Sequence, residues 1–364
     1  MGSSERSTRT DSGVGKQDSN LSVQGQVSGA VLRALRSELG LTQAGLAEAL
    51  GVDANTAQGW ESGRRPLTSV RVEVFQRVRR RLQLLGADLE KLALLDHAVT
   101  ADYLLSEIAE APPSAAHPLA TQVTDRMLTD LLAWPLTGKP PRALRNSPSA
   151  RLLLPAGQRD LLAAQLRMAA EQATDAESGP LLRRQTYYLL AQHEGSREWL
   201  EDMGKQEQSL TRNLREWTPQ WAAARSLAVS RSVAGDPEPL ERFIREGLAH
   251  DGTQLANLTY WAYWVGEVPA LWTSDSTMTA PDQGKWRGDT LLRALALNLD
   301  PAVPYRDLAA HAIHALLPIR RELAEDPDVV DLLRSRIAQI LDHPDALSQA
   351  ARSRLDQVFY SVRR

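Results

Sequence analysis

Cysteine is absent from the 364 residues. Disulfides, cysteine-ligated zinc and thiol nucleophiles are thereby excluded, and a disulfide-free chain of this size fits a reducing cytoplasm. There is no apolar run of the roughly 18–20 residues that a membrane span needs, so no membrane partner is expected. Strand signals are equally scarce, because alternating stretches are few and β-branched clusters are short. Residues 1–27 are rich in Ser, Gly, Thr, Asp and Gln. They lack the apolar stretch of a signal peptide and read as a disordered tail.

What the chain has in quantity is Leu, Ala, Arg, Glu and Gln, all good helix formers. Apolar residues at helical spacing recur almost everywhere after Val27, and the fold is expected to be all-α. The hydrophobic share of 43% and the charged share of 24% suit a globular chain with a sizeable core, and the length suggests two or three domains. The first folded block is expected over 28–110, ending at Pro112-Pro113, which cannot continue a helix. Residues 111–157 read as a connecting segment with one short helix, around 121–133, and a proline-rich stretch from Pro135 to Pro155 that is either an extended wrap or a linker. Residues 158–364 read as a second all-helical domain, a bundle or a stack of helical hairpins. Asp236-Pro237-Glu238, Asp326-Pro327-Asp328 and His343-Pro344-Asp345 each place proline and an acid where helices start.

The net charge is only −3, but positive charge is concentrated. Residues 64–81 hold seven arginines against Glu73 alone, the kind of local excess that marks a polyanion-binding face. Just before it runs Leu41-Thr42-Gln43-Ala44-Gly45-Leu46-Ala47-Glu48-Ala49-Leu50-Gly51-Val52. Thr42 is a good N-cap, Leu46, Ala47 and Leu50 form one buried face, and Gly51 suits a left-handed turn. Asp53 then caps a second short helix whose inner stripe is Ala57 and Trp60, and Gly63 and Pro66 end it. Val31, Leu32, Leu35 and Leu39 supply the apolar face of a preceding helix. Two short helices joined by a tight glycine turn make a helix-turn-helix.

These residues resemble the Cro/repressor-type helix-turn-helix, the XRE family. Its hallmarks stand here as Leu41-Thr42-Gln43, Leu46-Ala47, Leu50-Gly51-Val52 and Trp60-Glu61-Ser62-Gly63-Arg64-Arg65-Pro66. The resemblance covers about 40 residues and implies a regulator whose partner is double-stranded DNA. By position, it implies that Gln43, beside Thr42, approaches the phosphate backbone. The helix from about Ala54 to Ser62 enters the major groove, with Asp53, Ala54, Asn55, Thr56, Gln58 and Gly59 near the bases and Arg64 and Arg65 near phosphates. Two features depart from the pattern. Gly59 stands where many members carry a long polar side chain, and Asp53 brings a negative charge close to DNA. Readout is then expected to rest mainly on Asn55, which can pair bidentately with adenine. Asn55 as a plain solvated residue, and Arg77–Arg81 as a solvated or dimer-facing run, remain alternatives. Trp60 is expected in the core. One such motif reads few base pairs, so a homodimer on an inverted repeat is expected.

The second half holds most of the aromatics. The stretch Leu255–Val265 is apolar on nearly all sides, which suits a central buried helix. Tyr260, Trp261 and Trp264 are either core packing or the lining of a small-molecule pocket. No cofactor or metal is expected. His311 and His314 lack the His-Glu-x-x-His pattern, glycine-rich phosphate loops are missing, and no nucleophile motif accompanies Asp96-His97 or Asp342-His343. The chain therefore reads as a cytoplasmic, nucleoid-associated DNA-binding regulator, not an enzyme. The alternative is an interaction or antitoxin-like protein whose helical second half binds a protein partner while the helix-turn-helix tethers it to DNA.

Overall fold

The computed structural model describes residues 23–110, 112, 116–174, 178–193, 195–211, 217–268 and 286–362. Most of the N-terminal tail and Trp272 lie outside the described residues. Within them the fold is all-helical, with seventeen α-helices and no strand. In the first half these are α1 (Gln26–Glu38), α2 (Gln43–Leu50), α3 (Ala54–Glu61), α4 (Val72–Leu84), α5 (Leu89–Ala109), α6 (Pro118–Thr121), α7 (Arg126–Thr137), α8 (Ala156–Glu171) and α9 (Gly179–Leu190). In the second half they are α10 (Arg197–Thr211), α11 (Pro219–Val233), α12 (Glu238–Glu246), α13 (Asp251–Trp264), α14 (Asp289–Leu297), α15 (Arg306–Ile319), α16 (Pro327–Leu341) and α17 (Gln349–Ser361). No helix among the described residues is long and apolar enough to cross a membrane.

Local chemistry explains several boundaries. Thr42, Asp53, Asp88, Asp125, Thr218, Asp326 and Ser348 each accept a backbone N–H in the first turn of the helix they precede, filling a site the helix cannot fill itself. Pro327 is the first residue of α16 as expected, whereas Pro237 stands one residue before α12 as its N-cap. His343-Pro344-Asp345 starts no helix, because the next one begins at Gln349, where Ser348 provides the cap. The short helix expected over 121–133 runs instead from Arg126, capped by Asp125, to Thr137. It passes through Pro135, which has no N–H to donate to Leu131 O, and the helix ends two residues later at Thr137.

Burial begins before Ser28. Val23 and Val27 are both fully buried, so the N-terminal tail is not excluded from the core up to residue 27. The core also does not break at the prolines. One apolar cluster runs from Val23 to Leu190 and includes Leu144, Ala150, Leu154, Leu162 and Leu166 alongside the helix-turn-helix residues. Pro135 O accepts from Leu154 N at 2.9 Å, folding the proline-rich stretch back onto α7 as a packed wrap. A second large cluster spans Trp221 to Val362. The two large clusters part between Leu190 and Trp221, α8 packs on α5 and α9, and two smaller clusters, Leu181 with Tyr263 and Tyr187 with Leu227, bridge them. The two clusters meet where α9 packs along α11.

Candidate nucleic-acid interface

Helices α2 and α3 form the helix-turn-helix. Gly51 takes φ 66° at the turn, and Arg81 of α4 donates to Ala49 O at 3.0 Å. One of the seven clustered arginines thus satisfies the carboxyl end of α2. A second, Arg79, pairs with Asp96 of α5 at 3.0 Å. Arg64, Arg65, Arg71, Arg77 and Arg80 stay exposed, so the basic run is divided between holding α4 in place and facing solvent.

The inner face of α3 is Ala57, Trp60 and Glu61, all buried. Gly29 lets α1 close on this end of α3, since a Cβ there would stand 2.6 Å from the Trp60 carbonyl oxygen. Glu61 is 3% exposed and ties three helices together. It accepts from Arg36 Nε of α1 at 2.5 Å and from Gln43 Nε2 of α2 at 2.8 Å, while its backbone oxygen accepts from Arg33 at 2.7 Å. A buried carboxylate with a charged and a neutral donor is well satisfied. Gln43 is accordingly exposed but held by Glu61, at the entrance to α2 beside the capping Thr42.

The outer face of α3 presents Ala54, Asn55 and Gln58 to solvent, with Asp53 at its N-terminus. Asp53 accepts from the hydroxyl and backbone N–H of Thr56, and these bonds hold its carboxyl below the usual carboxylate range. Arg65 closes the chain, donating to Thr56 Oγ1 at 2.7 Å. To reach Thr56, Arg65 lies across Gly59. A Cβ at Gly59 would stand 3.0 Å from Arg65 Cγ and Cδ, and Gly59 is buried beneath that side chain. The missing side chain at 59 is thus the space through which Arg65 reaches the outer face of α3. Of the residues read from the sequence, Thr42, Gln43, Asp53, Ala54, Asn55, Gln58, Arg64 and Arg65 are exposed, Thr56 is half-buried and Gly59 is buried, and Arg65 sits on α3 and not beyond its end. The sequence carried no sign of this, because the contact depends on the turn at Gly63.

Tyr260, Trp261 and Trp264 lie far along the chain on α13 and line a separate interior cavity with Arg184 of α9 and Arg225 of α11. Helix α13 is not buried on every side, for Leu255 is exposed. His311 is buried, and desolvation pulls it down to about 4. His314 pairs with Gln357 at 3.0 Å. No group of three or more acidic or histidine side chains suited to a metal occurs among the described residues.

Residues 29–95 match a family model described as a helix-turn-helix domain. This segment is therefore a helix-turn-helix domain, consistent with the Cro/repressor type and with the geometry of α1 to α5. No curated protein matches the chain, and no solved structure does.

Proposed function

We propose that the chain is a sequence-specific DNA-binding transcriptional regulator that places α3 in the major groove. The observation that carries this is the outer face of α3, where Ala54, Asn55, Gln58 and Arg65 are exposed together beside Arg64. Short polar side chains at the amino end of a helix, flanked by arginines, suit base edges and phosphates respectively. Asn55→Ala should lose about 1–3 kcal/mol of discrimination at one base pair. Arg64→Ala should weaken binding alike on all sequences and lower the salt slope by about one. Affinities for selected and mutated operators test both, and unchanged base preference in Asn55→Ala would remove Asn55 as the reader.

Arg65 joins the readout in this proposal, because its guanidinium lies on α3. Arginine forks match guanine edges bidentately. Gly59→Ala should therefore separate stability from function. The new methyl pushes aside Arg65 Cγ and Cδ and presses on its Cβ at 3.2 Å, which must give by a few tenths of an ångström, while alanine favours a helix by about 1 kcal/mol over glycine. Melting should hold or rise while operator affinity falls. If affinity holds while a crystal structure shows Arg65 displaced, Arg65 has no part in readout.

We propose that it works as a homodimer on an inverted repeat. Leu84, Leu85 and Leu89 stand exposed where α4 turns into α5, an apolar group that suits a two-fold contact. Light scattering and footprinting test this, and a monomer protecting one half-site would refute it. The reading is of a binding protein in the nucleoid, without a catalytic step. Asp102, His117 and His311 are each buried in packing, and none of them lines the cavity that Arg225, Tyr188 and Tyr305 share.

A further inference from the structure

Arg225 is 6% exposed, yet its only hydrogen bond among the described residues is from Nε to the neutral Asn257 Oδ1, at 2.7 Å. No carboxylate among the described residues lies within 4 Å of it. Its guanidinium rests instead on rings, 4.7 Å from the Tyr260 centroid and 5.4 Å from that of Trp261. Burial pulls it down to about 10, which leaves it cationic at neutral pH. A second buried guanidinium, Arg184, lies 5.1 Å from the same Tyr260 ring. Burying the Arg225 cation without an anion is costly, and the positive charge of Arg184 nearby adds to that cost. Such an arrangement persists in a folded chain only when something else offsets it.

Both arginines line one cavity of about 50 Å³, with no Asp or Glu among the described residues of its wall. That is the space of one or two waters, enough for an oxyanion head group. Tyr188 and Tyr305 form part of its wall and also line a larger cavity of about 540 Å³. The larger space carries five basic side chains, Arg126 and Arg145 among them, against Asp130 and Asp300. Around the wall that the two cavities share, rings already pack on one another. Tyr188 meets Trp264 edge-on at 5.2 Å, and Tyr260 stacks on Trp264 at 6.4 Å. Burial raises both Tyr188 and Tyr305, so their hydroxyls stay neutral donors.

We infer that this pair of cavities binds a small organic anion, with its carboxylate or phosphate held by Arg225 and Arg184 and an aromatic or apolar body against Tyr188, Trp264 and Tyr305. The ligand's charge offsets the buried Arg225 guanidinium, and charge-assisted bonds to guanidinium donors are the strong ones. The site also borders the helix-turn-helix core, since Thr129, Arg126 and Ala133 of α7 line it and α7 packs on α5. The inference does not depend on the DNA-binding reading. Ligand binding is measured on the free protein, so either can fail alone.

The full chain is titrated with phenyl phosphate, benzoate and the neutral benzamide, followed by tryptophan fluorescence and thermal melting. Both anions should saturate the signal, bind more than about tenfold tighter than benzamide and raise the melting temperature. Arg225→Met should bind the anions at least about tenfold more weakly. Without ligand it should melt no lower than the parent, because the substitution removes an unpaired buried charge. Absence of anion binding, equal affinity for benzamide, or full affinity in Arg225→Met would overturn the assignment. If Arg225→Met does not fold, the comparison of the anions with benzamide on the parent chain decides the assignment.

Discussion

Glu61→Ala is expected to cost the protein about 3 kcal/mol or more, the largest single effect within the helix-turn-helix. The carboxylate is buried and bonded to Arg36 and Gln43. Removing it leaves the half-buried Arg36 guanidinium without its anion and frees Gln43 at the start of α2. Truncating one partner of a buried pair is far more damaging than the pair's net contribution, because the other charge stays desolvated. Glu61→Gln keeps an acceptor for one of the two donors and should lose less. Chemical denaturation measures both. Operator affinity should fall in Glu61→Gln even where the protein remains folded, since Gln43 loses the bond that orients it. A loss under about 1 kcal/mol in Glu61→Ala would mean that this triad contributes no more than a surface pair does.

Asp102→Asn carries the second large effect, and it depends on pH. Gly25, at the N-terminus of α1, offers no side-chain cap. Asp102 of α5 supplies one from a distance, its two oxygens accepting from Val27 N and Ser28 N, each at 2.9 Å. Asparagine has one acceptor and turns its NH₂ toward the other N–H. An unsatisfied buried donor costs about 1–3 kcal/mol, which is the loss expected at pH 7. Desolvation also raises Asp102 to about 6, so between pH 4 and 6 the folded chain holds a proton that the unfolded chain has released. This contribution is fully present below about pH 4 and is lost as pH rises through 6. The two-unit displacement corresponds to about 3 kcal/mol.

His117 and His311, both depressed to about 4 by burial, act the other way. Their neutral forms are favoured in the fold, so the stability they contribute is lost as pH falls from 6.5 toward 4. The parent's own profile mixes these opposing slopes. The difference between parent and Asp102→Asn isolates the carboxyl, and that gap should widen by up to about 3 kcal/mol from pH 7 to pH 4. Urea melts at several pH values measure it. A gap that stays constant would show that Asp102 titrates as an ordinary carboxylate.

The all-helical class, the helix-turn-helix and the residues on the outside of its second helix were legible in the sequence. They depend on short-range rules: helical spacing of apolar residues, Thr42 and Asp53 as caps, Gly51 at a left-handed turn. Such rules act over a few residues and leave their mark on adjacent letters. Only the tertiary structure decided where the cores divide. The prolines between 135 and 155 interrupt helices locally, but whether they separate domains depends on what covers α8 and α9. It also decided that Arg65 lies across Gly59, that Asp102 caps a helix about 75 residues away, and that Arg184 and Arg225 face one cavity. Lone arginines in amphipathic helices carry no local signature, because the cost of burying them is set by neighbours that arrive only when distant helices pack.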